Sequence, residues 1–158
     1  VTKKIKQIKL ILVGEGSQLK EYKNLVVSLG LTEHVEFKGW LDAREIQNLT
    51  TQSDLGLFPS RIESFGLSVI EAMAAGLPVI AANGGAVPEN IKDGVTGTLI
   101  PVHDSNALAK AIISALENPK YIRNLAETAK KQVREKFSWD KTADSMIDIY
   151  TSVLRDSA

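Results

Sequence analysis

Two glutamates eight residues apart, Glu63 and Glu71, bracket the most unusual segment of this 158-residue chain, Pro59-Ser60-Arg61-Ile62-Glu63-Ser64-Phe65-Gly66-Leu67-Ser68-Val69-Ile70-Glu71. The pattern places Glu63 in a loop and Glu71 about one turn inside a helix. Between them, Ser64-Phe65-Gly66-Leu67 forms the helix N-terminus, where the leading backbone N–H groups lack intrahelical acceptors. Gly66 has no side chain to block an approach to that backbone, and the positive end of the helix dipole favours an anion. Two carboxylates flanking such a site suit a ligand with hydroxyls on either side of a phosphate, the layout of a sugar nucleotide. The competing reading makes Glu63 an exposed first-turn residue that favours the dipole, and Glu71 a solvated helix position. The helix carrying Glu71 is otherwise small and apolar (Val69, Ile70, Ala72, Met73, Ala74, Ala75). That composition predicts burial, and a buried carboxylate needs partners.

Short apolar strands alternating with amphipathic helices must position this segment. Lys9–Gly14 is a continuous apolar run ending in glycine, as expected of a strand covered on both faces. Ser17 is placed to cap a helix carrying Leu19, Tyr22, Leu25, Val26 and Leu29, which Gly30 ends. Val35–Lys38 and Leu55–Pro59 read as strands, with an Asp42-capped helix bearing Ile46 and Leu49 between them. Leu67–Ala75 is the small-residue helix, and Val79–Ala82 and Gly97–Pro101 are two further strands. Asp104 or Ser105 caps a helix with Leu108, Ala111, Ile112, Ala115 and Leu116 on one stripe, broken at Asn118-Pro119. Two more helices follow: Tyr121 to Lys136, then one from Ser138 with Trp139, Ala143, Met146, Ile147 and Tyr150 set to face the core. The alternation implies an α/β domain with right-handed crossovers and a parallel sheet. Ligands bind such sheets beyond the carboxyl ends of the strands. Those ends carry Gly14-Glu15-Gly16, Gly39-Trp40-Leu41, Ser60 to Gly66, Asn83 to Glu89 and Val102-His103-Asp104.

Composition narrows the chemistry. The length fits one domain, 1–158, and 44 % apolar with 24 % charged residues is ordinary for a globular protein. A formal net charge of zero supplies no global field toward nucleic acid or membrane. Lys3, Lys4, Lys6 and Lys9 read as the solvated end of a helix. The absence of cysteine removes disulfides, thiolate zinc sites and a thiol nucleophile, and fits a cytoplasmic location. His34 and His103, the two histidines, have no partners at ligand spacing, so no metal is expected. Ser60, Ser64 and Ser68 lack the hydrolase elbow pattern. Gly14-Glu15-Gly16-Ser17-Gln18-Leu19 half-matches the dinucleotide fingerprint, but Leu19 stands at the third glycine position. His103-Asp104 is a helix cap. Apart from Trp40, the Trp and Tyr residues fall on apolar stripes and read as core.

The chain resembles the C-terminal, donor-binding domain of family-four retaining glycosyltransferases with the GT-B fold, the glycosyltransferases of group 1. Glu63 to Glu71 is similar to their E-x7-E motif, with Ser64-Phe65-Gly66-Leu67 matching its small-Phe-Gly-Leu signature. Leu10-Ile11-Leu12-Val13-Gly14-Glu15-Gly16 resembles their strand and G-[DE]-G turn, and Val35-Glu36-Phe37-Lys38-Gly39 their V-x-F-x-G strand. Glu71-Ala72-Met73-Ala74-Ala75-Gly76-Leu77-Pro78-Val79-Ile80 resembles E-A-M-A-x-G-x-P-V-I. Gly85-Ala86-Val87-Pro88-Glu89 with Asp93-Gly94-Val95-Thr96-Gly97 resembles G-G-x-P-E…D-G-x-x-G, Ala86 taking the place of the second glycine.

The resemblance implies a Rossmann-like three-layer half of a GT-B fold lacking its first strand, bound to a nucleotide-diphosphate sugar and needing no cofactor. It makes Glu63 the catalytic residue that holds donor-sugar hydroxyls, and Glu71 the partner of the ribose hydroxyls. Ser64, Phe65, Gly66 and Leu67 meet the sugar and diphosphate. Gly14 and Gly16 form the turn lining the pocket, and Trp40 and Leu41 border the base. Arg61 is read as structural or solvated. The diphosphate-clamping Arg and Lys of the family would precede Val1, and an N-terminal domain would bind the acceptor glycan, lipid or small molecule. The segment alone is therefore expected to be inactive and to bind donor weakly, to leave a sheet edge open to self-association, and to reach the inner membrane face only through the other domain. Competing readings are a nucleotide-sugar 2-epimerase-type isomerase of the same fold, a non-catalytic nucleotide-sugar-binding module and, last, a dinucleotide oxidoreductase.

Overall fold

The computed structural model describes residues 1–156. In order they form β1 (Leu10–Val13), α1 (Leu19–Ser28), a 3-10 turn (Thr32–His34), β2 (Val35–Gly39), α2 (Ala43–Gln52), β3 (Gly56–Phe58) and α3 (Leu67–Ala75). Then come β4 (Val79–Ala82), α4 (Val87–Asn90), β5 (Thr98–Ile100), α5 (Ser105–Glu117), α6 (Pro119–Lys136) and α7 (Trp139–Asp156). The α/β alternation expected from the sequence is present. The 3-10 turn and α4 are additions, too short at three and four residues to leave a periodic signal. The backbone groups into two compact units, Val1–Gln52 and the residues from Ser53 onward.

In the first unit, β1 and β2 pair in parallel from Leu10↔Val35 to Val13↔Gly39, with the register shifting between Leu12 and Val13. The N-cap of α1 is Gln18 rather than Ser17, and the Gln18 side chain accepts from Tyr22 Oη at 2.9 Å. Asp42 caps α2 as expected. Its Oδ1 accepts from Glu45 N at 2.8 Å while Glu45 Oε2 accepts from Asp42 N at 2.8 Å, a reciprocal capping box.

In the second unit, β3, β4 and β5 form a parallel sheet with β4 central. The single expected sheet is thus two, of two and three strands. Side chains on successive strand residues point to opposite faces, and β4 shows what that does. Val79 and Ala81 join one core with Val69, Ile70, Met73, Val87, Ala129 and Val133. Ile80 and Ala82 join another with Ile100, Ala115 and Ile122. Both faces of the sheet are therefore covered, which explains why Val79–Ala82 is apolar without alternation.

Not every apolar stripe reaches a core. Trp139 of α7 is 88 % exposed, and Met146, Ile147, Tyr150 and Ala143 are exposed with it. Tyr22 and Tyr121 are also exposed, against the expectation that they are core. Helical periodicity shows that a helix has an apolar face; it carries no information about what covers that face. Among the described residues no helix is long and apolar enough to cross a membrane.

Candidate functional site

The segment 59–66 connects β3 to α3 and is fixed mainly through its backbone. Ala86 N donates to Glu63 O at 2.8 Å. The contact is possible because Gly84 and Gly85 have no side chains: a Cβ on Gly84 would overlap Arg61 O, and one on Gly85 would overlap Glu63 O and lie 2.7 Å from Glu63 N. Gly85 also has a φ of 58°, a region glycine enters without a Cβ penalty. The close approach is thus made at Gly84-Gly85, and Ala86 contributes its N–H.

Two residues later, Phe65 O accepts from Asn90 Nδ2 at 2.5 Å. The Phe65 ring meets Phe137 edge-on, with centroids 6.0 Å apart and planes at 85°. Gly66 is the N-cap of α3, at φ 79° and ψ 39°. Its carbonyl accepts from Val69 N at 3.0 Å and from Ile70 N at 3.1 Å, which starts the helical ladder. No side chain caps this terminus, and α3 carries no acidic residue in its first turn. Among the described residues the N–H groups of Gly66, Leu67 and Ser68 have no acceptor. They form the set of free donors that a phosphate would take up.

The carboxylates flank these donors differently. Glu63 is half-buried in the loop, whereas Glu71, the fifth residue of α3, is exposed. Exposure of Glu71, Ala74 and Ala75 corrects the burial inferred from composition: α3 buries Val69, Ile70, Ala72 and Met73, and the rest of its circumference is open. Burial therefore compels no partner for Glu71. Arg61 and Ser64 are exposed, as are the side chains of Phe65 and Leu67.

The first unit brings its own candidates together. Gly14 N donates to Gly39 O at 2.7 Å, so Gly14-Glu15-Gly16 and Gly39-Trp40-Leu41 lie side by side at the carboxyl ends of β1 and β2. Gly14 has a φ of 121°, and a Cβ on Gly14 or Gly16 would meet nothing within 4 Å. Trp40 is exposed and Leu41 half-buried. On β2, Lys38 Nζ lies 2.6 Å from Glu36 Oε1. That hydrogen bond, then the Lys38 charge, hold the Glu36 carboxyl below its ordinary range; desolvation opposes them and Lys9 adds to them.

Asp104 caps α5, its Oδ1 accepting from Ala107 N at 2.8 Å. Among the described residues no group of three or more His, Asp or Glu side chains is placed to hold a metal ion. Gly84 and Gly85 lie in the Asn83 to Glu89 segment marked by its place after a strand, where a Gly-Gly pair is a turn signal; Asn90 falls just beyond it. Asn90 offered no signal, because its partner Phe65 lies 25 residues away.

The family described as Glycosyl transferases group 1 matches residues 1–132. N-acetyl-alpha-D-glucosaminyl L-malate synthase of Bacillus anthracis is 39 % identical over 148 residues, covering 94 % of this chain and 38 % of the relative. D-inositol 3-phosphate glycosyltransferase of Saccharomonospora viridis is 32 % identical, covering 89 % and 33 %. The chain thus spans well under half the length of these relatives. Among solved structures, sucrose-phosphate synthase of Thermosynechococcus elongatus superposes with a TM-score of 0.86 at 32 % identity, covering 97 % of this chain and 40 % of that one. HepE of Anabaena in complex with UDP-glucose gives 0.85 at 30 %, covering 92 % and 41 %. The parallel α/β frame matches these solved structures, and the chain belongs to the glycosyl transferases of group 1.

Proposed function

We propose that this chain is the donor-binding part of a retaining hexosyltransferase that moves a sugar from a nucleoside-diphosphate sugar to an acceptor hydroxyl. The observation that carries the reading is the row of free N–H groups at Gly66, Leu67 and Ser68, set behind a loop whose backbone is fixed at Glu63 and Phe65. Donors fixed before the reaction stabilise the charge that develops on a departing diphosphate without reorganising. Glu63 engages the donor-sugar hydroxyls. Glu71, open to solvent, takes the ribose hydroxyls. Ser64, Phe65 and Leu67 border the sugar and diphosphate. HepE, which this chain resembles, has been crystallised with UDP and with UDP-glucose, which supports the donor class.

The leaving phosphate helps to deprotonate the acceptor on the same face of the sugar. Glu63 positions rather than attacks, and no metal takes part. The acceptor site, and the cations that complete the diphosphate site, are assigned to the remainder of a longer enzyme, since the relatives extend far beyond the matched region. Kinship with transferases disfavours the 2-epimerase alternative.

Thermal unfolding of the full-length protein with UDP-, GDP- and ADP-sugars tests the reading. One of the three should raise the midpoint, since a ligand at a hundred times its Kd stabilises by about 2.7 kcal/mol. No shift with any of them would overturn donor binding. With the matching sugar and an acceptor, Glu63→Ala should lower kcat/KM about 100-fold, about 2.7 kcal/mol of lost stabilisation. An unchanged rate would favour a non-catalytic module, and activity should survive EDTA.

A further inference from the structure

Asn90 is 4 % exposed, one of two buried polar residues among those described, the other being Thr96. Thr96 closes its own turn on Lys92, through a bond from Lys92 N at 2.9 Å. Asn90 instead reaches across 25 residues to Phe65 O. Because its partner is a carbonyl, the donor must be the amide nitrogen, which fixes the side-chain orientation. The main-chain carbonyl of Asn90 accepts from Gln132 Nε2 of α6 at 2.9 Å, and the preceding carbonyl, Glu89 O, accepts from Lys136 Nζ at 3.1 Å. The last turns of α6 thus hold the end of α4, and α4 holds the Phe65 carbonyl.

Phe65 O belongs to the Phe65–Gly66 peptide, which is trans, as are all others described. In a planar trans peptide the C=O and N–H vectors are antiparallel. Drawing the carbonyl toward Asn90 therefore turns the Gly66 N–H away from Asn90, and that N–H leads the free donors of α3. A bond to the carbonyl also polarises the peptide and strengthens the same N–H as a donor. A Cβ at Gly66 would sit 3.5 Å from Asn90 Nδ2, so the side chain packs directly beneath this peptide.

We infer that Asn90 is a positioning residue for the diphosphate of the donor: it sets the Phe65–Gly66 peptide so that the Gly66 N–H is aimed and polarised for phosphate. The inference rests on the donor-site reading above. Its effect belongs to the phosphate, not to the nucleoside, and that separates it from a general role in packing.

The test uses the full-length enzyme with Asn90→Asp, which keeps the shape but presents an acceptor to the carbonyl, and Asn90→Ser, which keeps a small polar side chain should the first fail to fold. The probes are UDP, GDP or ADP, whichever the unaltered enzyme binds best, and the corresponding nucleoside. Binding is titrated well below each unfolding midpoint. The diphosphate Kd should rise about tenfold or more in the variants while the nucleoside Kd holds, and the Gly66 amide proton should shift upfield as its polarisation is lost. Equal weakening of both probes, or an unchanged diphosphate Kd, would overturn the positioning role and leave the donor site standing. Failure of the unaltered enzyme to bind any of the three diphosphates would remove the donor site, and this role with it.

Discussion

Two glycine pairs follow strands in this molecule and serve opposite ends. At Gly14 and Gly16 a side chain would find empty space within 4 Å. At Gly84 and Gly85 it would strike the backbone of Arg61 and Glu63. The first pair leaves room beside the backbone; the second lets two backbone segments come together, as the Ala86 N to Glu63 O bond requires. Glycine can thus leave a stretch of backbone open or let two stretches close on each other, and sequence spacing alone does not separate the two.

Substitution by alanine grades the contrast. Gly85→Ala meets both a backbone overlap and a positive φ, so it should cost about 3 kcal/mol or more and abolish donor binding. A thermal midpoint within a degree of the unaltered protein would show that the loop does not depend on this contact. Gly14→Ala meets conformational strain alone, at φ 121°, and should cost about 1–2 kcal/mol in the same melt. Gly16→Ala meets neither and should stay within about 0.5 kcal/mol, any loss appearing in the donor KM. A large drop in midpoint for Gly16→Ala would break the contrast.

The weakest lever lies in the open first unit. The folded Glu36 carboxyl titrates below its unfolded value, so its contribution is present above the ordinary carboxylate range and is lost as pH falls through the folded value. Removing the partner with Lys38→Met should flatten that acid-side slope slightly, since the pair is exposed. Midpoints measured between about pH 3 and 6 would show it, and identical slopes would mean that the pair contributes nothing.

The sequence marks local events well. α3 and β4 occupy the predicted residues, Leu67–Ala75 and Val79–Ala82, because Gly66, Gly76 and Pro78 are conformational stops written in the chain itself. The Asp42–Glu45 capping box is equally local. What sequence could not show depends on distant partners. Among the described residues nothing covers Glu71 on its side of α3, and Trp139 is exposed for the same kind of reason. Ser17 and Gln18 are both polar residues before an apolar run, and only the backbone ladder, in which Gln18 O accepts from Tyr22 N, picks out the second. Asn90 reads as one more polar residue until Phe65 arrives beside it.

The loop ahead of α3 is held through main-chain atoms, Glu63 O by Ala86 N and Phe65 O by Asn90. The side chains of Arg61, Ile62 and Ser64 are exposed and supply none of those bonds. Anchoring and display are therefore separate. Substitutions at these three positions can revise what the loop offers to a ligand while its scaffold stays as it is, so variation under selection for a new sugar or base has a place to accumulate without unfolding the domain.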